Sequence, residues 1–218
     1  NIIAHSEYDG DGRVLETRNV EGLVQRNAYD TAGRSYLSVS NFVDDSYQSP
    51  SLWVWDAGQT QWEDGNNVAI DRGIGVVQNL ISQPEYDSEN RVFQTRDSRG
   101  NLTRQIYDEA GRRVMTISNY VSQGASDPTD WEWSPSATPD PRWEDGAGNA
   151  IQFGMNNDQN RIIHTTYDIL GRVVTTRDAV GRVSYTVYDD LGRRSLTIAN
   201  YVAQANPPEE WEWDAVDN

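Results

Sequence analysis

Two histidines, His5 and His164, are the side chains in this sequence best suited to moving a proton near neutral pH. Each stands three residues before a Tyr-Asp pair, Tyr8-Asp9 and Tyr167-Asp168, and a third such slot, before Tyr86-Asp87, holds Gln83. Acid–base or metal chemistry needs a titratable or ligating group, and Gln does not titrate. The slot therefore reads as inherited with a repeat. Asp9-Gly10-Asp11-Gly12 and Asp44-Asp45 cluster carboxylates of the kind that hold calcium, yet they lack the longer ligand spacing of a known calcium loop. Turn chemistry alone explains Asp9 and Gly12. Trp53-Val54-Trp55, Trp131-Glu132-Trp133 and Trp211-Glu212-Trp213 each put two indoles on one face of a strand. Such pairs could stack on sugars; filling a core or a seam between units is the simpler reading. Asn101-Leu102-Thr103 matches a glycosylation sequon. With no cysteine there is no Cys-His cluster, and neither a nucleophile elbow nor a phosphate loop is present. Carboxylate pairs are too numerous for one acid and one base to stand out. No catalytic, cofactor-binding or metal-binding residue is assigned, and the chain reads as non-enzymatic.

The elements that must position these groups are written in a repeat. Tyr-Asp-x-x-Gly-Arg begins at Tyr8, Tyr29, Tyr86, Tyr107, Tyr167 and Tyr188, with Asn90 replacing Gly in the third copy. The tyrosines form pairs 21 residues apart, and the pairs recur after 78 and 81 residues. Repeats on this scale mark a stacked array in which each unit buries its apolar face on its neighbours.

Each copy reads as strand, turn, strand. Asp opens a type I turn, and Gly three residues later takes a left-handed conformation without a Cβ clash. Asn is the next most tolerant residue there. Between the members of each pair lies a second turn of the same chemistry: Thr17-Arg18-Asn19-Val20-Glu21-Gly22, Thr95-Arg96-Asp97-Ser98-Arg99-Gly100 and Thr176-Arg177-Asp178-Ala179-Val180-Gly181. Turns every 10 or 11 residues leave room for strands of about 6 residues. The fold class is all-β, an antiparallel hairpin or meander array, elongated or spiralling like a shell or solenoid, with little or no helix.

Alternation places Val24, Leu102, Val183, Ala28, Ile106 and Val187 on the buried face, followed after the turn by Leu37, Met115, Leu196 and then Val39, Ile117, Ile198. Tyr29, Tyr107 and Tyr188 fall on the polar face, each expected flat against a neighbouring strand with the Arg that follows it over or beside the ring. A hairpin is expected between Trp55 and Trp62, and a protruding loop between Trp133 and Trp143, where the link is longer and Pro-rich. Pro207-Pro208-Glu209-Glu210 can start a helical turn. The array divides into units 1–77, 78–158 and 159–218, the last lacking a counterpart of the strand that begins at Trp62 or Trp143.

The net charge of −16 argues against nucleic acid and anionic lipid as partners, and no stretch is apolar enough to span a membrane as a helix. All 18 basic residues are Arg, suited to multidentate contacts and ring stacking. Low hydrophobicity (36%) goes with many turns and one wet face, since 8 Trp, 11 Tyr and 3 Phe can fill a core. The chain starts at Asn1 without Met or a signal peptide, which reads as a processed product or a piece of something longer.

Together the Tyr-Asp-x-x-Gly-Arg and Thr-Arg-Asp-x-x-Gly motifs, over 8–37, 86–115 and 167–196, resemble the YD-repeat or RHS (rearrangement hotspot) family. Relatives are large secreted or surface proteins of bacteria and the teneurins of animal cells, whose strands spiral into a hollow β-shell that encloses cargo in toxins. The resemblance implies a β architecture, an extracellular or cell-surface setting and a structural role. The incomplete last unit leaves an open edge that invites self-association with copies of the same unit; in a toxin or adhesin the partner would be encapsulated cargo or a surface glycan. The family's Asp-Pro-x-Gly self-cleavage signature is not matched: Asp127-Pro128 is followed by Thr129-Asp130, and Asp140-Pro141 by Arg142-Trp143. No protease role is carried over. The expectation is a structural protein of the bacterial surface or matrix forming an array, filament or tube. The alternative is a shell or stalk segment of an RHS-type polymorphic toxin or adhesin.

Overall fold

The computed structural model describes residues 4–43, 47–71, 78–124, 126–155 and 158–211. Among these the chain is all-β, with three single 3₁₀ turns as its helical content. Strand order in the main antiparallel sheet, of 12 strands, follows chain order. The chain divides into two units, Asn1–Arg104 and Gln105–Asn218.

The first unit contains β1 (His5–Tyr8), β2 (Val14–Arg18), β3 (Val24–Tyr29), β4 (Ser35–Ser40), β5 (Val54–Asp56), β6 (Gln61–Glu63), β7 (Leu80–Tyr86) and β8 (Val92–Asp97). The next strand, β9 (Leu102–Tyr107), spans the division. Each Tyr-Asp turn behaves as its residues dictate. In the first, the Gly12 amide donates to the Asp9 carbonyl (3.1 Å) and the Asp9 amide to the Arg13 carbonyl (2.9 Å). Gly12 sits at φ +79°, and Asn90 takes the same role at +63°. The left-handed residue produces a bulge, seen as a register shift at Glu7/Tyr8 and Glu85/Tyr86.

The core of this unit lies on one face of the sheet. Val24, Ala28, Leu37, Val39 and Ile81 pack there with Phe42, Trp53, Trp62 and Ile70. Burying each of the Val, Leu and Ile side chains contributes about 1.5–3 kcal/mol relative to exposure. The β5–β6 hairpin pairs Trp55 with Trp62, as its short link requires. Pro50–Leu52 forms a 3₁₀ turn just before it.

The second unit contains β10 (Arg113–Ser118), β11 (Glu132–Ser134), β12 (Arg142–Glu144), β13 (Arg161–Tyr167), β14 (Val173–Asp178), β15 (Val183–Tyr188) and β16 (Arg194–Ile198). Its core is Met115, Ile117, Trp131, Trp143, Ile151 and Ile162. The longer Trp133–Trp143 link, expected as a protruding loop, still closes a hairpin in which Trp133 pairs with Trp143. Trp143 is buried in the core of this unit and Trp133 packs, partly buried, against it. The 3₁₀ turns at Pro128–Asp130 and Pro208–Glu210 match the one at Pro50–Leu52. The sequence pointed to a helical turn at the third place alone. Leu196, placed on the buried face by alternation, is 36% exposed, whereas its counterparts Leu37 and Met115 are 0% and 4% exposed. Alternation gives the side of the sheet; it does not supply something to cover that side.

The lock between successive repeats

The six Tyr-Asp-x-x-Gly-Arg copies place their polar side chains in one arrangement. Asp9 Oδ1 accepts from the backbone amides of Asp11 and Arg13 (both 2.9 Å), and Oδ2 accepts from Arg13 Nε (2.7 Å). The same Asp–Arg pair closes at 2.8 Å in Asp30–Arg34, 2.7 Å in Asp87–Arg91, 2.8 Å in Asp108–Arg112, 2.6 Å in Asp168–Arg172 and 2.7 Å in Asp189–Arg193. The carboxylate thus fixes both the turn backbone and the guanidinium. It is held below the ordinary carboxylate range, in five copies chiefly by the Arg backbone amide. At Asp87 desolvation is the largest influence and pushes upward, but the bonds from Arg91 outweigh it.

Held this way, the Arg does not cover the tyrosine of its own copy, as the sequence suggested. It covers the tyrosine of the next copy. Arg13 lies 4.8 Å from the Tyr29 ring centre and Arg34 4.7 Å from that of Tyr86. In the second unit Arg112 lies 5.0 Å from Tyr167 and Arg172 4.4 Å from Tyr188. Cation–π attraction operates at this range. The Arg is held through its Nε by Asp while the next copy's ring lies against its guanidinium carbon. Each covered tyrosine then donates its hydroxyl to the carbonyl just after that Arg. Tyr29 bonds Val14 (2.8 Å), Tyr86 bonds Ser35 (2.8 Å), Tyr167 bonds Arg113 (2.8 Å) and Tyr188 bonds Val173 (2.9 Å).

A second lock joins each Trp hairpin to the following Thr-Arg-Asp-x-x-Gly turn. The Trp62 indole N–H donates to the Asp97 carbonyl, and that of Trp143 to the Asp178 carbonyl, both at 3.2 Å. Arg96 lies 5.4 Å from the Trp55 ring and Arg177 5.3 Å from that of Trp133. Trp53, Trp62, Trp131 and Trp143 are buried, so they offer no open face to a sugar; Trp211 is 39% exposed. Trp213 lies outside the described residues.

Two asparagines that the sequence reading did not single out complete the arrangement. Asn79 and Asn160 are fully buried and left-handed, at φ +46° and +48°. Asn79 accepts from the Val43 amide (3.0 Å) and donates to the Asp71 carbonyl (2.8 Å). Asn160 does the same with Val121 and Gln152, each at 2.8 Å. Their signal was available: both stand seven residues before a Tyr-Asp tyrosine.

His164 packs 6.1 Å from the Trp143 ring, and burial, then the Arg177 charge, lower its pKa. His5 lies on exposed β1. In the Asp9-Gly10-Asp11-Gly12 segment both carboxylates engage Arg13, Asp11 at 2.9 Å. Asp44 and Asp45 lie outside the described residues. Among the described residues no three His, Cys, Asp or Glu side chains gather as a metal site, and no helix is long and apolar enough to cross a membrane. A groove of about 280 Å³ in the first unit is lined by Asp9, Arg13, Glu16, Arg26 and Tyr29. Two of the acids that line it are paired, Asp9 with Arg13 and Glu16 with Arg26 at 2.8 Å; Glu7 lines it as well.

No protein-family model matches the sequence, and no curated protein does. Among solved structures the chain is similar to TcdB2-TccC3, at 15% identity and a TM-score of 0.25, over 92% of this chain and 12% of that one. It is also similar to a Tc holotoxin pore of Photorhabdus luminescens, at 15% identity and a TM-score of 0.27, over 90% of this chain and 10% of that one. The chain therefore spans about one tenth of the length of these proteins.

Proposed function

We propose that this chain is a non-enzymatic structural segment of a bacterial cell-surface or extracellular protein, whose repeats build an extended array, filament or tube and associate with further copies of the same unit. One observation carries the reading: Asp and Arg hold their own turn in each copy, and Tyr29, Tyr86, Tyr167 and Tyr188 bind the copy before them. The test is protease treatment of intact cells that produce the full-length protein. Loss of the chain without lysis is the expected result. Survival of the chain until the cells are lysed would refute a surface location.

The recurrence of Tyr-Asp-x-x-Gly-Arg supports a second reading, a shell or stalk segment of an RHS-type toxin or adhesin with a cargo domain or host glycan as partner. A variable toxin domain encoded after the repeats favours this reading; further copies of the same unit favour the filament.

A further inference from the structure

The two units share a repeat but differ at a cluster of positions near one turn. On β13, Arg161 and Ile163 alternate with the buried Ile162, so they share the side of the sheet away from the core. Ser118 stands opposite Arg161, and Asp178 opposite Ile163. The first unit has Leu80, Ser82, Ser98, Arg99 and Asn101 where the second has Arg161, Ile163, Ala179, Val180 and Arg182. All five of the second unit's residues line one groove of about 440 Å³, which Phe153 also lines.

The exchange changes the chemistry of that place. In the first unit the Ser98 hydroxyl accepts from the Ile81 amide and donates to the Ile81 carbonyl (3.2 Å), a polar plug beside the strand. Ala179 brings no such hydroxyl to Ile162. Ile163 and Val180 stand where the first unit has Ser82 and Arg99, and they are 52% and 66% exposed. Phe153, packed partly buried against the core, adds a ring to the lining. Small molecules occupy concavities of this kind, apolar walls with a few polar groups and volumes of about 300–1,000 Å³.

Pairing decides the charge of the ligand. Asp178, the carboxylate in the groove, is already occupied. Its Oδ1 accepts from the Val180 amide (3.1 Å) and the Arg182 amide (2.9 Å), and its Oδ2 from Arg182 Nε (2.8 Å). Arg161 is exposed and makes no ion pair among the described residues. The lining thus carries two guanidiniums and one carboxylate, a local positive excess in a chain of net charge −16. In about 0.15 M salt, charges more than about 8 Å away are largely screened, so the local excess governs.

We infer that this groove binds a small amphipathic carboxylate, its apolar chain against Ile163, Val180 and Phe153 and its head group on the Arg161 guanidinium. A planar carboxylate suits the two parallel N–H donors of an arginine. The site is built from β10, β13 and the turn after β14. It goes beyond the scaffold reading and does not depend on it.

Titration of the isotope-labelled 218-residue chain with octanoate, followed by amide NMR shifts in about 0.15 M salt, tests this. Wild-type protein should show saturable shifts at Ile163, Ala179 and Val180, with a dissociation constant of about 1 mM or tighter for a ligand of this size. Octylamine, with the same chain and the opposite charge, should not bind there. The first unit supplies substitutions that the repeat already accommodates. Arg161→Leu should weaken octanoate binding about tenfold, and Ile163→Ser about fivefold or more, while an unchanged circular dichroism melt shows that the fold is intact. Octanoate that leaves those amides unmoved, octylamine that binds equally well, or an Arg161→Leu chain that binds octanoate like the wild type would each overturn the site. None of these results bears on the protease test of surface location.

Discussion

The indole of Trp55 lies where a side chain on Gly100 would begin: a Cβ built there falls 2.1 Å from the ring. The glycine in that turn thus has two jobs, holding φ at +82° and leaving room for the ring. Gly22 has only the first, at φ +81° with open space beside it. Gly22→Ala is expected to cost about 1–2 kcal/mol, the price of a left-handed alanine. Gly100→Ala adds overpacking and should cost about 2–5 kcal/mol in total. Chemical denaturation of the two variants checks the difference; equal losses would show that the Trp55 contact does not constrain the turn.

The inter-repeat lock can be divided into its parts at Tyr167. Tyr167→Phe keeps the ring under Arg112 and removes the hydroxyl bond to the Arg113 carbonyl, for an expected loss of about 0.5–1.5 kcal/mol. A double-mutant cycle between Arg112→Ala and Tyr167→Ala should return a favourable coupling of about 0.5–1 kcal/mol. Strict additivity would show the stack to be geometry without energy.

Asn160 combines a strained backbone with two buried bonds. Asn160→Gly keeps the backbone free and loses the bonds, and should cost about 1–3 kcal/mol. Asn160→Ala must also be left-handed and should cost about 1–2 kcal/mol more than Asn160→Gly. Hydrogen exchange at the Val121 amide, the donor to Asn160 Oδ1, should accelerate in both.

Acid should unfold the protein through its turns. Asp9, Asp30, Asp87, Asp108, Asp168 and Asp189 all have lowered pKa values when folded. Below the ordinary carboxylate value of about 3.9 the unfolded chain takes up protons that the folded chain refuses. The stability these groups add is therefore present at neutral pH and is lost as pH falls through their folded-state values. A melting temperature flat between pH 5 and 7 (both about one unit or more above the carboxylate range) and falling below it is expected; a loss centred near neutrality would point elsewhere.

His164 titrates below the ordinary imidazole value because it is half-buried beside Arg177. Its protonation is disfavoured in the fold, so it removes stability as pH falls from about 6.5 through the folded-state value. NMR titration should place it below a free histidine. Since Gln83 fills the equivalent slot, His164→Gln should change stability by no more than about 0.5 kcal/mol. A severe loss of fold would show that the imidazole is specifically required.

The local elements were legible in the sequence because their causes are local. Asp, a left-handed Gly or Asn, and Arg within six residues suffice to make the turn, and a period of two assigns Leu37, Val39, Met115 and Ile117 to the buried face. The partner of each Arg was not legible. Whether Arg13 covers its own Tyr8 or the following Tyr29 depends on how Asp9 orients the guanidinium and on which strand lies alongside, a matter of register rather than composition. The same holds for Trp55 on Gly100, whose two residues stand 45 positions apart. Leu37, buried, and Leu196, open, occupy the same place in the repeat. Sequence determined which surfaces are apolar and where the chain bends; only the tertiary structure decided which of those surfaces find a neighbour, because coverage depends on groups brought together from distant parts of the chain.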